Sequence, residues 1–280
     1  MGKTLVIEPR TLGRVVFYLF SPLLVFNLLV KNELDFNSAV LTMVYTATLI
    51  TVMSLLAFLL GKLFQLDRPF LLAVILTAAF GNTGNYGLPV IKLAFGDDAL
   101  TYASLFFVTT TILFNTLGVV IASLGHMNLK SALLGLLKVP TVYAVILAAL
   151  LNAIDVKLPS SLMSAVEIAA NGSIPVMLVL LGLELSRVQW SHSFRALGLS
   201  VSIRLIIAPL IGLLLAILFK FPSVAMQGTV TQASMPTAVA TTVLASEYHL
   251  EPSLVTGIVF VGTLLSPFTL TPLLVYLGGK

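Results

Sequence analysis

Apolar runs about 20 residues long follow one another along almost the whole chain, and they limit the fold more than any other feature. A helix of this length spans the hydrocarbon core of a bilayer, which is about 30 Å thick. Charged residues make up only 9% of the 280 residues, against roughly 25% in soluble domains. Since no polar stretch is long enough to fold by itself, the sequence predicts one all-α integral membrane domain over residues 1–280.

Windows of about 20 residues divide the chain into nine predicted membrane spans. They cover residues 11–30, 39–60, 70–95, 99–124, 139–153, 160–185, 194–218, 222–245 and 252–277. The side that holds the N-terminus carries nine Lys and Arg residues, and the other side carries five. This bias predicts a multi-pass protein of the cell membrane with a cytoplasmic N-terminus and an extracytoplasmic C-terminus. It also explains the net charge of +4 without a nucleic-acid partner.

The third predicted span contains the sequence Gly-Asn-Thr-Gly-Asn-Tyr-Gly-Leu-Pro at residues 81–89. Proline removes a backbone donor and glycine destabilises a helix interior by about 1 kcal/mol, so a break is predicted here. Inside a bilayer, freed backbone groups are tolerated only where protein or a water-filled cavity surrounds them. The break is therefore a candidate binding site.

Three other spans contain proline-marked interruptions, at Ser21-Pro22 in the first, at residues 171–175 in the sixth and at residues 232–236 in the eighth. The interruptions fall into two pairs with similar offsets. Pro22 and Pro175 are 153 residues apart, and Pro89 and Pro236 are 147 residues apart.

Two offsets of similar length predict two equivalent halves, residues 1–124 and residues 131–280. Corresponding spans are five apart, so they run in opposite directions through the membrane. The predicted fold is therefore an inverted-repeat transporter with two broken crossover helices that meet near the middle of the bilayer. The fifth span has no counterpart in the first half, which is one helix short of a symmetric design.

The two central breaks supply the groups that would bind a substrate. Helix N-termini favour a carboxylate because their first N–H groups are unpaired and the helix dipole is positive there. The candidate substrate-binding residues are Asn82, Thr83, Asn85, Gln232, Ser234 and Thr237. The candidate crossover or hinge residues are Gly84, Gly87, Pro89, Pro236, Pro22 and Pro175. Small and polar residues also hold membrane helices together, and for a single Ser or Thr packing is the simpler interpretation.

Ionisable groups inside the spans are few. Arg204 in the seventh span is a candidate for attracting an anion from a cytoplasmic vestibule, with helix anchoring as the alternative. No Asp or Glu lies at either central break, which weighs against a buried carboxylate that binds sodium or carries protons. The three histidines, His126, His192 and His249, lack metal-ligand spacing. The sequence therefore predicts no enzyme, no metal and no cofactor.

Residues 82–89, Asn-Thr-Gly-Asn-Tyr-Gly-Leu-Pro, resemble the first crossover of the auxin efflux carrier family, the bacterial relatives of plant PIN-type auxin exporters. Residues 235–239, Met-Pro-Thr-Ala-Val, resemble its second crossover, and residues 204–209 and 262–266 also fit. The resemblance implies a ten-helix carrier of organic anions in which a transport domain moves like an elevator against a scaffold domain. This chain departs from that pattern by lacking the first helix.

We therefore predict a secondary transporter, in the outward direction, for small organic anions such as carboxylates or auxin-like acids. Its expected partners are this anion and the lipid bilayer, and a homodimer stays open. Two alternatives also stay open. One is a sodium- or proton-coupled symporter or antiporter of the same crossover fold, and the other is a membrane sensor or assembly protein without transport.

Overall fold

The computed structural model describes residues 8–31, 36–122, 139–154, 156–185 and 193–279, and these are mostly helical. The predictions about His126 and His192 lie outside these ranges. In chain order the helices are α1 (Thr11–Lys31), α2 (Phe36–Leu63), α3 (Arg68–Ala79), α4 (Leu88–Phe95), α5 (Asp97–Ala122), α6 (Pro140–Ala153), α7 (Ser160–Leu185), α8 (Phe194–Leu218), α9 (Ser223–Ala233), α10 (Ala240–Glu247) and α11 (Pro252–Tyr276).

Six of the described helices are long and apolar enough to cross a bilayer, namely α1, α2, α5, α7, α8 and α11. Helices α3 and α6 are apolar but shorter, with 12 and 14 residues. Large apolar side chains are exposed on outer faces, as Leu210, Leu214 and Leu218 are along one face of α8. Such a face is stable only in lipid. The chain is therefore a multi-pass membrane protein, and the count of nine crossings stays a prediction.

The helix breaks predicted at Pro22 and Pro175 are wrong, because both prolines lie inside continuous helices. In α1 the residues before Pro22 form a wider π-helical turn, Val16–Phe20, which accommodates the proline ring. In α7 the Pro175 side chain is exposed, and nearby Ser173 donates a hydrogen bond to the Phe20 carbonyl of α1 (3.0 Å). A proline removes one donor, whereas unwinding would free several backbone groups in lipid, so both helices stay intact.

Apart from the short helices α4 and α10, the described helices pack as two groups with α5 between them. The α1 group consists of α1, α6 and α7, in which α1 packs against both other helices. The α3 group consists of α2, α3, α8, α9 and α11, which share one apolar core. Within the α3 group, fully buried Tyr45 of α2 donates a hydrogen bond to the Gly212 carbonyl of α8 (2.8 Å). Helix α5 contacts helices of both groups.

Candidate functional site

The third predicted span is divided into α3 and α4 and the eighth into α9 and α10, and the two interruptions meet backbone to backbone. Residues 80–82 lie antiparallel to residues 236–238, and we call this paired region the crossing. Each segment bonds groups that the other has freed, which a lone break in a bilayer could not do. The links are the bridge between Gly81 and Thr237, the bond from the Asn82 N–H to the Pro236 carbonyl (2.6 Å), and the bond from the Ala238 N–H to the Phe80 carbonyl (3.0 Å).

Arg204, in the π-helical turn Ile203–Ile207 of α8, holds the crossing from one side. Its side chain is 3% exposed. Nε, Nη1 and Nη2 donate hydrogen bonds to the carbonyls of Met235 (2.7 Å), Ala78 (3.2 Å) and Ala233 (3.0 Å). Ala78 and Ala233 lie in the last turns of their helices, where carbonyls have no intrahelical partner. Arg204 is thus placed against backbone and not in an open vestibule, and attraction of an anion to it from the cytoplasm stays a prediction.

Gly81 and Gly87 are needed at their positions because other side chains fill the space beside them. A Cβ on Gly81 would overlap the guanidinium of Arg204, and a Cβ on Gly87 would overlap the side-chain oxygen of Gln232. Gln232 is fully buried, and its Nε2 donates to the Thr83 carbonyl (3.0 Å) and to a carbonyl of α5 (3.1 Å). The absence of a side chain at Gly81 and Gly87 therefore lets Arg204 and Gln232 bond the backbone around the break after α3.

A cavity of about 370 Å³ lies beside the crossing, between the two groups of helices. Its walls come from α1, the break after α3, the middle of α5, one residue of α7 and the start of α10. A volume of this order holds a small organic molecule. The lining residues with polar side chains are Ser21, Asn82, Thr83, Asn85, Thr110, Thr111 and Asn115, and the aromatic lining residues are Phe17, Phe80, Phe107 and Phe114.

Two buried polar atoms of the cavity residues, Asn82 Nδ2 and Thr110 Oγ1, have no hydrogen-bond partner. Asn82 is 5% exposed and Thr110 is 6% exposed. Buried polar groups are nearly always bonded, and an unbonded one costs about 1–3 kcal/mol. Asn82 also stands at the N-cap of the next helical segment, where an asparagine side chain usually bonds the backbone, yet it makes no such bond. Both residues line the cavity, and each carries a buried polar atom without a partner.

Two helical segments begin at the wall of this cavity. The π-helical turn Thr83–Gly87 leads into α4, and Val239 immediately precedes α10. Gly84, Asn85, Val239 and Ala240 line the cavity at these two starts. The first N–H groups of a helix have no partner within it and carry the positive end of its dipole. Since no lining side chain is ionisable, backbone dipoles and the nearby guanidinium of Arg204 determine the potential in the cavity.

The structure separates the predicted site residues into two sets. Asn82, Thr83, Gly84 and Asn85 line the cavity. Gln232, Ser234 and Thr237 do not, because their donors bond backbone carbonyls within the protein. Ser234 Oγ bonds the Val230 carbonyl (2.7 Å), and Thr237 Oγ1 bonds the Thr77 carbonyl (2.9 Å). The remaining predicted residues, Gly87, Pro89, Pro236, Pro22 and Pro175, do not line the cavity, and their hinge roles stay predictions.

Helix α5 supplies cavity residues that the sequence analysis missed, namely Thr110, Thr111 and Asn115. Asn115 lies in the π-helical turn Phe114–Gly118, a kind of turn that often marks functional sites. A sequence signal was present, since three consecutive threonines and an asparagine lie together in the middle of the span. Polar residues inside a membrane span indicate function more often than chance.

Apolar helices with an internal cavity at two interrupted helices are features of membrane transport proteins. Among the residues with described positions, no group of three or more His, Cys, Asp or Glu side chains could hold a metal. The chain belongs to the membrane transport protein family, the auxin efflux carrier type, whose family model matches residues 8–274. The predicted resemblance to the auxin efflux carrier family is thereby confirmed.

Two archaeal relatives agree with this assignment. The chain is 29% identical over 265 residues to an uncharacterized transporter of Methanothermobacter thermautotrophicus. It is 29% identical over 276 residues to an uncharacterized transporter of Methanocaldococcus jannaschii. Each comparison covers 92% of this chain and 86% of the relative, so the likeness extends over nearly the whole transporter.

Proposed function

We propose that this protein is a secondary transporter, working as an efflux carrier, of small organic anions such as carboxylates or auxin-like acids. The cavity beside the crossing is the substrate site. One observation carries the proposal: two helix starts line one cavity together with Asn82 and Thr110, two residues that each have an unbonded buried polar atom. All of these groups can donate hydrogen bonds, which is what a carboxylate requires.

The lining also favours an anion by what it lacks. A cation site in a membrane protein uses carboxylates or carbonyl oxygens, and none of the lining side chains is an Asp or Glu. The aromatic side chains of Phe17, Phe107 and Phe114 offer apolar surface to the body of the substrate. A carboxylate with an apolar or aromatic body therefore fits this lining, with the charged group at the helix starts and the body against the aromatic rings.

The arrangement of the two helix groups supports elevator-type alternating access. The cavity has the α1 group on one side and the crossing, which belongs to the α3 group, on the other. Movement of the α3 group and α5 past the α1 group would carry the crossing and its substrate between the two faces of the membrane. In this proposal α1, α6 and α7 are the scaffold, and residues 1–124 and 131–280 are the inverted halves.

Transport into proteoliposomes tests the substrate site through two neighbouring threonines. Thr110→Val removes the unbonded hydroxyl at the cavity, and we expect KM for a labelled monocarboxylate to rise about tenfold, as for loss of one bond to a charged group. Thr109→Val is the matched control, because the Thr109 hydroxyl bonds the Leu105 carbonyl (2.9 Å) and does not line the cavity. Equal KM values for the two variants would contradict the assignment of the site.

Asn82→Asp tests the charge of the substrate with almost no change of shape. A carboxylate at position 82 would repel an anion at the helix start, so we expect uptake of the monocarboxylate to fall by about tenfold or more. Asn82→Ala loses only hydrogen bonds and is expected to fall less. Uptake that survives in Asn82→Asp, or that rises for a cationic substrate, would favour the cation-coupled alternative over an anion carrier.

A further inference from the structure

Arg204 brings a full positive charge into the membrane-embedded part of the protein without a carboxylate at its side. Arginine stays protonated in proteins. The ion pairs of the described residues are Lys31 with Glu167 and Lys92 with Asp97, so no described Asp or Glu lies within 4.0 Å of the Arg204 guanidinium. A buried charge without a counter-charge is costly and in membrane spans usually has a function. The three carbonyls that bond this charge are therefore candidates for a function.

These carbonyls are of the kind that binds cations in transporters. The oxygens of Ala78 and Ala233 stand at the C-terminal ends of α3 and α9, and that of Met235 leads into the crossing. The C-terminal end of a helix carries the negative end of its dipole, and such carbonyls coordinate coupling cations in carriers with interrupted helices. Here all three oxygens accept a hydrogen bond from one guanidinium at 2.7 to 3.2 Å.

We propose that the three carbonyls form a cation site that the chain fills itself, with the guanidinium of Arg204, and that the carrier therefore works without a sodium ion at the crossing. The tethered charge does two things that a coupling ion would do. It holds the ends of α3 and α9 together, and it places positive charge behind the cavity. The first effect is independent of the proposed function, and the second rests on it.

The guanidinium reaches the cavity wall through Gly81, which lines the cavity. A Cβ on Gly81 would lie 2.9 Å from Cζ of Arg204, so only the backbone of Gly81 fits beside the charge. An anion in the cavity would then face a fixed positive charge in a low-dielectric surrounding, where such attraction is strong. This placement gives the anion preference a source that none of the lining side chains supplies.

Thermal unfolding of the purified protein in detergent tests the cation site without any substrate. We expect Arg204→Ala to unfold at a lower temperature in choline chloride, and either sodium chloride or a few millimolar methylguanidinium to restore about 5 °C with saturation. Wild type and Arg195→Ala, which removes an exposed arginine near the start of the same helix, are expected to respond to neither cation. A folded Arg204→Ala protein that ignores both cations would overturn the proposal.

Conservative variants keep the test decisive if Arg204→Ala does not fold. Arg204→Lys keeps the charge with fewer donors, and Arg204→Gln keeps a donor without the charge. If the site is a cation site, Lys must give the higher melting temperature and the lower KM for the monocarboxylate. If Arg204 stabilises the backbone only through hydrogen bonds, the melting temperature of Arg204→Gln will equal or exceed that of Arg204→Lys, and the proposal fails.

Flux measurements separate this proposal from the transport assignment. Wild-type uptake of the monocarboxylate is expected to be the same in sodium and in choline media, and a sodium gradient that drives uptake would overturn the sodium-free crossing. Cation rescue of Arg204→Ala with no carboxylate flux in wild type would instead leave the cation site standing and contradict the proposed substrate.

Discussion

Gln232 holds two parts of the crossing region together through a single amide group. Its Nε2 joins the Thr83 carbonyl after the first break to the Ala103 carbonyl of α5, at 3.0 and 3.1 Å. Its Oε1 has no hydrogen-bond partner and lies against Gly87. A side chain at position 87 would have to displace this amide, and both hydrogen bonds would be lost with it.

Gly87→Ala is therefore expected to lower the free energy of unfolding by about 1–3 kcal/mol, as overpacking of a core does. Gly198→Ala is the control, because no atom lies within 4 Å of the added methyl group. In that exposed helical position alanine is expected to stabilise the protein by up to about 1 kcal/mol. Thermal unfolding in detergent measures both changes, and a Gly87→Ala protein as stable as wild type would show that Gln232 does not need this space.

The side chains that line the cavity could be predicted only where the backbone is also unusual. Asn82, Thr83 and Asn85 stand among the glycines and the proline that mark the break, so the sequence analysis found them. Thr110 was missed because nothing in the sequence separates it from Thr109. The difference between them is whether the hydroxyl bonds a carbonyl of its own helix, which is decided by local geometry and not by residue type.

Proline in a membrane helix marks an interruption only where a second segment can bond the freed backbone groups. At the crossing, residues 80–82 and 236–238 bond each other, and both helices break. Among the described residues no segment pairs in this way with the backbone at Pro22 or Pro175, and α1 and α7 continue through them. The sequence shows the missing backbone donor at all four prolines, but it does not show whether a second segment can bond the freed groups. Of the four predicted breaks, two are therefore present in the structure and two are not.

Pro175→Ala and Pro236→Ala should consequently behave in opposite ways. Pro175 is exposed in a continuous helix, so alanine restores a donor and is expected to raise the free energy of unfolding by about 1 kcal/mol and leave carboxylate transport unchanged. Pro236 lies at the crossing, and alanine there would permit α9 to extend and would weaken the pairing, so transport is expected to fall. The melting temperature and the flux in proteoliposomes are measured for both variants. Loss of transport in Pro175→Ala would support the predicted hinge role of Pro175.

The membrane class of the whole molecule follows from composition alone, because 9% charged residues are too few to cover the water-exposed surface of a soluble domain of this size. Its division into two helix groups does not follow, because it depends on contacts between distant parts of the chain. Asn152 of α6 donates to the Leu29 carbonyl of α1 (2.9 Å), and Lys31 of α1 pairs with Glu167 of α7 (2.6 Å). These contacts hold the α1 group together across more than 100 residues of sequence.

Cross-linking tests whether the two groups move past each other, and the chain has no cysteine of its own to interfere. Phe17→Cys with Val243→Cys places one thiol on α1 and one on α10, both at residues that line the cavity. Joining them with a short bismaleimide is expected to abolish carboxylate transport, because the crossing could no longer move relative to α1. Lys31→Cys with Glu167→Cys is the control, since it joins two helices that already contact each other within the α1 group, and its transport should persist after cross-linking. Full transport by the cross-linked Phe17/Val243 pair would show that the α1 group and the crossing stay together throughout the cycle.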